Sequence, residues 1–264
     1  MNFLETILAA KREETALRKK TILRSRLEDM PGYGAPRLSL SRALAGRDMA
    51  VVAEIKKSSP SRRVLREDFD PLLIARQYLD GGANALSVLT DEKFFQGRLD
   101  FIGTMRHAVS VPILRKDFII DAYQLHEARA YGADAVLLIV AALDQSCLYD
   151  LAEECRLLGM QSVVEVHTED EIDGLDFSRI DLVGINNRDL MTFDTDVLTS
   201  VRLRKFIPAE TVVISESGIR TSQDLRLLMD HHIHAVLIGE QFMKADNPGV
   251  ALRDLLAGVS GLPA

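Results

Sequence analysis

The chain has 264 residues, of which 47% are hydrophobic and 27% charged, and its formal net charge is −7. This composition is typical of a globular protein and excludes the disordered and fibrous classes. The acidic balance argues against a protein that binds nucleic-acid backbones, because such binding requires a basic face.

The N-terminal segment predicts an amphipathic helix ahead of the first strand. Its apolar residues recur at helical spacing between Phe3 and Leu23, and the Pro and Gly breakers of residues 30–38 follow. With an acid at Glu5 and further charges from Lys11 onward, the segment is unlike a secretory signal peptide. We therefore expect a cytoplasmic protein.

Eight short apolar runs follow, and nearly continuous runs of this kind are typical of parallel strands buried on both faces. The runs are Val51–Ile55, Ala85–Leu89, Pro112–Leu114, Ala135–Val140, Ser162–Val166, Leu182–Ile185, Thr211–Ile214 and Ala235–Ile238. The longest apolar stretch, residues 135–143, is less than half of the roughly 20 residues that a membrane span requires. No membrane contact is expected.

The segments between these runs predict helices. In residues 70–83, 121–135, 146–161 and 221–235 apolar residues recur every three or four positions, and several of these segments have Asp or Thr near the start and Gly near the end. Eight strand–helix units without a linker predict an α/β fold, a (β/α)8 barrel. We expect one domain over residues 1–264, with a helical extension over about 1–48 and the barrel over about 49–258. A doubly wound open sheet is the structural alternative.

Polar residues cluster at the carboxyl ends of the predicted strands, where barrels of this kind carry their active sites. Glu54 and Lys56 share a face of the first strand, so we expect both to point into the lumen. Lys116 and Glu165 end the third and fifth strands. Lysines and carboxylates that converge in a water-poor site shift each other's pKa values. Lys116 is therefore a candidate acid toward a developing alkoxide, and Glu165 a candidate proton acceptor.

A phosphate site is predicted after the last two strands. Gly218 in SESGI and Gly239 in LIGEQF leave backbone N–H groups unobstructed, where many barrels bind a phosphate. Each glycine alone also fits an ordinary turn. Together they indicate a phosphorylated small-molecule substrate.

Nine motifs, in this order along the chain, resemble the indole-3-glycerol phosphate synthase family, the ring-closing enzymes of tryptophan biosynthesis. They are AEIKKSSPS, REDFDP, SVLTDEKFFQG, LRKDFIID, ADAVLLIV, VVEVHTEDE, GINNRDL, ISESGI and LIGEQFM, and the match extends over about residues 5–257. The resemblance implies a (β/α)8 barrel and a carboxy-lyase that needs no cofactor or metal. Its substrate would be 1-(2-carboxyphenylamino)-1-deoxyribulose 5-phosphate, which closes a ring with loss of CO2 and water.

The resemblance also implies roles for single residues. Lys116 would be the general acid at the ketone oxygen, and Glu165 the carboxylate for proton abstraction and dehydration. The other implied catalytic residues are Glu54, Lys56 and Asn186; the substrate-binding residues are Ser59, Pro60, Phe95, Phe118, Leu137, Arg188, Leu190 and Glu216; the phosphate-binding residues are Ser217, Gly218, Gly239 and Glu240. Glu240 places an acid beside the phosphate, and its side chain is expected to point away.

The chain departs from the family pattern after the first strand. The family commonly has Ser-Pro-Ser-Lys-Gly there, whereas Ser61 is followed by Arg62 and Arg63. Losing the glycine removes easy access to positive φ, so the conformation of this loop is left open.

Other polar residues have plainer interpretations. His167 is interpreted as a rim histidine with a local hydrogen bond, and Arg115 as a rim residue or a supporting partner of the site. The histidines at 231, 232 and 234 precede the last strand, on the face opposite the site, so they predict no metal cluster. Cys147 and Cys155 are too few for a disulfide framework and are interpreted as buried thiols.

Three other functions share these features. One is an Amadori-type sugar isomerase, another is an aldolase that forms a Schiff base on Lys116 or Lys56, and the third is a non-catalytic phosphometabolite-binding barrel. Retention of both lysines and both carboxylates argues against the third. The predicted helices show no exposed apolar stripe, so we expect a monomer, with at most weak association with other enzymes of the pathway.

Overall fold

The computed structural model describes residues 3–46, 48–59, 63–189 and 192–260. Eight parallel strands form a closed barrel in which neighbours follow chain order and the first strand pairs with the last. The strands are β1 (Ala50–Ile55), β2 (Ser58–Ser59), β3 (Arg63–Val64), β4 (Ala85–Leu89), β5 (Ile113–Lys116), β6 (Ala135–Ile139), β7 (Gln161–Val166), β8 (Leu182–Asn186), β9 (Val212–Glu216) and β10 (Ala235–Ile238). Of these, β2 and β3 stand outside the barrel, as an antiparallel hairpin after β1. The predicted (β/α)8 barrel is confirmed, and the open sheet is excluded.

Helices precede the barrel and connect its strands. They are α1 (Phe3–Thr21), α2 (Arg24–Glu28), α3 (Leu40–Leu44), α4 (Pro71–Asp80), α5 (Glu92–Phe95), α6 (Asp100–Arg106), α7 (Ala122–Tyr131), α8 (Gln145–Leu157), α9 (Glu169–Asp173), α10 (Leu198–Arg204), α11 (Ser222–Asp230), α12 (Glu240–Met243) and α13 (Pro248–Ser260). Two 3-10 turns cover Val140–Ala142 and Phe177–Arg179. Among the described residues, no helix combines the length and apolarity needed to cross a lipid bilayer.

The predicted helix signals are found where the sequence placed them. The side chains of Asp70, Asp121 and Thr221 accept backbone N–H groups at the starts of α4, α7 and α11. Gly132 ends α7 with φ +95°, a conformation that favours glycine. These local devices fix where each helix returns the chain to the barrel.

Two apolar layers hold the barrel together. Val52 and Leu114 belong to a cluster inside the barrel, whereas Val51 and Ile113 belong to the layer between the strands and the helices. This alternation follows from the two-residue period of a strand. It also fixes which polar residues at the strand ends face the lumen.

Three strands extend further toward the carboxyl end than predicted, β8 by one residue, Asn186, and β5 and β9 by two residues each. β5 includes Arg115 and Lys116, and β9 includes Ser215 and Glu216. Their last residues are paired in the sheet, since Lys116 lies opposite Leu89 of β4 and Glu216 opposite Asn186 of β8. In the sequence, charged residues mark the ends of the apolar runs. In the structure these residues continue the strands, because residues of opposite charge form ion pairs with them.

Candidate active site

A cavity of about 830 Å³ opens at the carboxyl ends of the barrel strands. Its size fits a small-molecule site. Every predicted site residue within the described ranges lines it: Glu54, Lys56, Ser59, Phe95, Lys116, Phe118, Leu137, Glu165, Asn186, Arg188, Glu216, Ser217, Gly218, Gly239 and Glu240. Pro60 and Leu190 lie outside the described residues, as does Arg62 of the divergent loop.

Lys116 lies at the centre of the charged part of this cavity. Its Nζ is 2.8 Å from Glu165 Oε2 and also donates to Glu216 Oε2. Both carboxylates are buried, with Glu165 3% and Glu216 1% exposed. Lys116 is on β5, Glu165 on β7 and Glu216 on β9. Closure of the barrel therefore brings two carboxylates to a single ammonium.

These groups shift one another's pKa values. Burial alone would lower the pKa of Lys116, but the carboxylates of Glu165, Glu216 and Glu54 outweigh it and raise that pKa above its ordinary value. Burial would raise the pKa of Glu165, yet Lys116 and then His167 lower it to about 2. Burial raises the pKa of Glu216 to about 7, against the effect of Lys116 and with the help of Glu165. The pKa values of the two carboxylates that share one ammonium are therefore shifted in opposite directions.

A second ion pair lies beside the first, at the end of β1. Glu54 Oε2 is 2.5 Å from Lys56 Nζ, and both side chains line the cavity, as the strand alternation predicts. Gly239 is packed against the Glu54 side chain, where a Cβ would lie 2.8 Å from Glu54 Cβ. The sequence suggested that glycine is needed at position 239 to bind a phosphate. The close approach of the Glu54 side chain is a second reason for glycine there.

Asn186 and His167 flank Glu165. Asn186 Nδ2 donates to Glu165 Oε1 at 3.3 Å, and its own Oδ1 accepts the backbone N–H of Arg188 at 3.1 Å. His167 Nε2 lies 3.4 Å from Glu165 Oε1, and the backbone N–H of His167 donates to Glu171. The local hydrogen bond predicted for His167 is thus made by its backbone, while its ring lies against Glu165.

An apolar wall faces the charged groups. The rings of Phe95 and Phe118 lie with centroids 6.2 Å apart, and Leu137 lines the same cavity. Sequence reasoning missed part of this wall, because Phe3 and Ile7 of α1 also line the cavity. Their helical spacing showed an apolar face but not which part of the barrel it covers.

The loops after β8, β9 and β10 form the remaining end of the cavity. Ser217 and Gly218 have φ +69° and +79°, so two successive residues adopt the left-handed conformation. That the Glu240 side chain points away from the phosphate stays a prediction; its carboxylate lies 2.6 Å from Lys244 Nζ and 3.8 Å from Arg188 Nη2. Both cations line the cavity, and Lys244 was missed because it lies beyond the β10 motif.

Arg115 lies behind the site rather than in it. It is 1% exposed, donates to Gln124 O at 2.7 Å, and pairs with Asp117 and Glu127 between β5 and α7. At the opposite face, His234 Nδ1 accepts the Val213 N–H. Within the ranges that the structure describes, no group of three His, Cys, Asp or Glu side chains could hold a metal ion.

Comparison with known proteins identifies the family. The sequence model described as indole-3-glycerol phosphate synthase matches residues 4–255. The chain belongs to the indole-3-glycerol phosphate synthase family. It is 45% identical to the indole-3-glycerol phosphate synthase of Polaromonas naphthalenivorans (strain CJ2), over 96% of this chain and 98% of that one. It is 44% identical to that of Paracidovorax citrulli (strain AAC00-1), over 97% and 99% of the two chains.

Membership makes the chain a carboxy-lyase of tryptophan biosynthesis. Solved structures with much lower identity share its fold. KGPDC from Streptococcus mutans is 13% identical with a TM-score of 0.63, and a mutant tryptophan synthase α-subunit from Pyrococcus furiosus is 14% identical with a TM-score of 0.58. Each comparison covers 81% of this chain and 98% of the other. At such identities the likeness to these two concerns the barrel alone.

Proposed function

We propose that the chain converts 1-(2-carboxyphenylamino)-1-deoxyribulose 5-phosphate to indole-3-glycerol phosphate, with Lys116 as the acid and Glu165 as the proton acceptor. One observation carries the proposal: a buried ammonium, bonded to two carboxylates, lies opposite an aromatic wall in one cavity. The family supports the reaction. The assignment of each step to a residue rests on the geometry and charge of the site.

Lys116 suits the first step, ring closure. The ring carbon that bears the carboxylate attacks the ketone carbon, and negative charge develops on the ketone oxygen, which takes a proton from the ammonium. A donor fixed in a buried site stabilises that charge more strongly than water does, because it needs no reorganisation. Glu165 and Glu216 keep Lys116 charged and aimed into the lumen.

Loss of CO2 and water completes the reaction. The bond to the carboxylate breaks, its electron pair restores the aromatic ring, and CO2 leaves. The hydroxyl group formed from the ketone then takes a proton from the Lys56 ammonium, which lines the same cavity, and departs as water. Glu165 accepts the proton lost from the neighbouring carbon as the new double bond forms. With a pKa of about 2, Glu165 is ionised near neutral pH. Once Lys116 has given its proton to the ketone oxygen, the charge that lowers this pKa is removed, so Glu165 becomes a stronger base for the later step.

The rest of the cavity orients a flexible substrate. Phe95, Phe118 and Leu137 would hold the aryl ring, while Ser217 and Gly218 offer backbone N–H groups to the phosphate at the far end. Arg188 and Lys244 add positive charge there, although Glu240 offsets part of it. Holding both ends brings the reacting carbons together and removes much of the entropic barrier.

The state of Lys116 disfavours the aldolase alternative. Schiff-base formation requires a neutral amine as nucleophile. The paired carboxylates raise the pKa of Lys116, so its neutral form is rare near neutral pH. We therefore expect borohydride to trap no substrate adduct on Lys116.

The test is direct conversion of the synthetic substrate without added metal or cofactor. The chain contains no tryptophan, so the indole fluorescence of the product rises above a low protein background. Indole-3-glycerol phosphate and CO2 should be formed in equal amounts. No indole product, or a borohydride-trapped adduct on a lysine, would overturn the proposal.

A further inference from the structure

A buried lysine outside the barrel joins two turns at the edge of the cavity. Lys11 is on α1, and its side chain is 1% exposed. Its Nζ lies 2.9 Å from each of three carboxylates, those of Glu14, Asp91 and Asp117. A buried charge is costly unless it is paired. The contacts of Lys11 with the loops after β4 and β5 are therefore fixed features of the fold.

Each of the two aspartates also holds the turn on which it lies. Asp91 Oδ1 accepts the Phe94 N–H at 2.8 Å and so starts α5, which contains Phe95. Asp117 Oδ1 accepts the Phe118 N–H at 2.8 Å, directly after Lys116. The ammonium of Lys11 thus connects the backbone turns that carry the two facing aromatic rings.

The geometry points to Lys11 as a positioning residue for the apolar wall of the site. It sets the spacing of the Phe95 and Phe118 rings, 6.2 Å between centroids, by drawing Asp91 and Asp117 to one ammonium. Without it, two buried carboxylates would face each other, and their repulsion would separate the turns. This role rests on the proposed function, which gives the two rings the aryl group of the substrate.

Arg115 does not replace this link. It bonds Asp117 through Oδ2 at 3.0 Å, on the side of α7, whereas Lys11 bonds Oδ1. Among the described contacts, Asp91 pairs with Lys11 and no arginine. Removal of Lys11 therefore leaves Asp117 partly compensated and releases the turn that carries Phe95.

The experiment compares Lys11→Met with Lys19→Met in the full chain. Lys19 is on the same helix and pairs with Asp121 at 2.5 Å, but its side chain is 46% exposed, so it controls for loss of one charge and one ion pair on α1. We expect Lys19→Met to keep kcat/KM within about twofold of the unsubstituted chain. We expect Lys11→Met to lower it by about 10-fold to 100-fold, because small misplacements of positioning groups have effects of that order.

A second substitution separates positioning from general loss of stability. Phe118→Leu should lower kcat/KM in the Lys19→Met background and have little further effect in the Lys11→Met background, since both changes act on one wall. If Lys11→Met and Phe118→Leu instead lower kcat/KM independently, so that the double variant shows the full product of the two factors, the inference is overturned. A Lys11→Met protein that melts cooperatively and keeps kcat/KM within about threefold of the control would also overturn it.

If Lys11→Met shows no cooperative melting transition, Asp91→Asn decides the question. The asparagine oxygen can still accept the Phe94 N–H, but its amide then faces the Lys11 ammonium in place of a carboxylate oxygen. We expect at least a roughly threefold fall in kcat/KM, and an unchanged value would overturn the inference. Failure of the proposed function is distinguishable, because the Lys19→Met control would then form no indole product.

Discussion

Neutralising the two carboxylates that share Lys116 should have opposite effects on stability. In the folded chain the pKa of Glu216 is about 7, against an ordinary value of 4.5, because burial and the neighbouring Glu165 disfavour its charge. That of Glu165 is about 2, because Lys116 and then His167 outweigh its burial. At pH 8, Glu216→Gln should therefore stabilise the fold, and Glu165→Gln should destabilise it.

The magnitudes follow from these values. One pKa unit corresponds to about 1.4 kcal/mol, so a change from 4.5 to about 7 makes ionised Glu216 cost the folded state roughly 3 kcal/mol. Because this pKa is raised, stability falls as the pH rises from 4.5 to 7, and the cost is fully present above pH 7. Near pH 5 most of it disappears, leaving about 1 kcal/mol. For Glu165, whose pKa is lowered, the contribution is also roughly 3 kcal/mol but favourable, present above pH 4.5 and lost toward pH 2.

Urea unfolding of the two variants and the unsubstituted chain at pH 8 and pH 5 measures these differences. The gain in unfolding free energy of Glu216→Gln should shrink between pH 8 and pH 5. A Glu216→Gln variant that is less stable than the unsubstituted chain at pH 8 would refute the reasoning. It would mean that the ammonium of Lys116 fully compensates both carboxylates.

Three further predictions concern single positions in the cavity. Lys116→Met should lower kcat/KM by about 10³-fold or more in the indole fluorescence assay, because it removes the donor to the ketone oxygen; a loss below tenfold would contradict its role. Gly239→Ala should displace Glu54, which lowers activity and also lowers the unfolding free energy by about 1–3 kcal/mol. Gly34→Ala is the matched control, because no atom lies within 4 Å of the added Cβ, and it should change neither quantity. Gly218→Ala strains a residue at φ +79° and should raise KM more than it lowers kcat; equal changes in kcat and KM would argue against a phosphate at that turn.

The sequence was most informative at the strand ends. The two-residue period places Glu54 and Lys56 in the lumen, and chain order places Lys116 and Glu165 at the same end of the barrel, so these groups could be predicted together. The directions in which the pKa values of Lys116 and Glu165 shift could not be predicted, because they depend on distances between three strands. Glu216 is the clearest case, since its shift depends on how the barrel shares one ammonium between two acids.

Contacts between distant segments were the least predictable. Ile7, Lys11 and Thr15 occur at every fourth position of α1, and all three are buried. A lysine on such a stripe is a usable signal, because a charged residue on an apolar face needs a partner. Its partners Asp91 and Asp117 lie far along the chain, and no local pattern connects them to α1.

The opposed directions of Arg115 and Lys116 also constrain how β5 can align during folding. A shift of one residue would turn Arg115 into the lumen and Lys116 toward α7, because a strand exchanges its faces with every residue. Ile113 and Leu114 could exchange places at modest cost, since both faces of the strand are apolar. Arg115 and Lys116 cannot exchange places in this way, because each would lose its ion pairs and leave buried carboxylates without a cation. The same charges that prepare the site for catalysis therefore select one alignment of this short strand and penalise the barrels that close out of register.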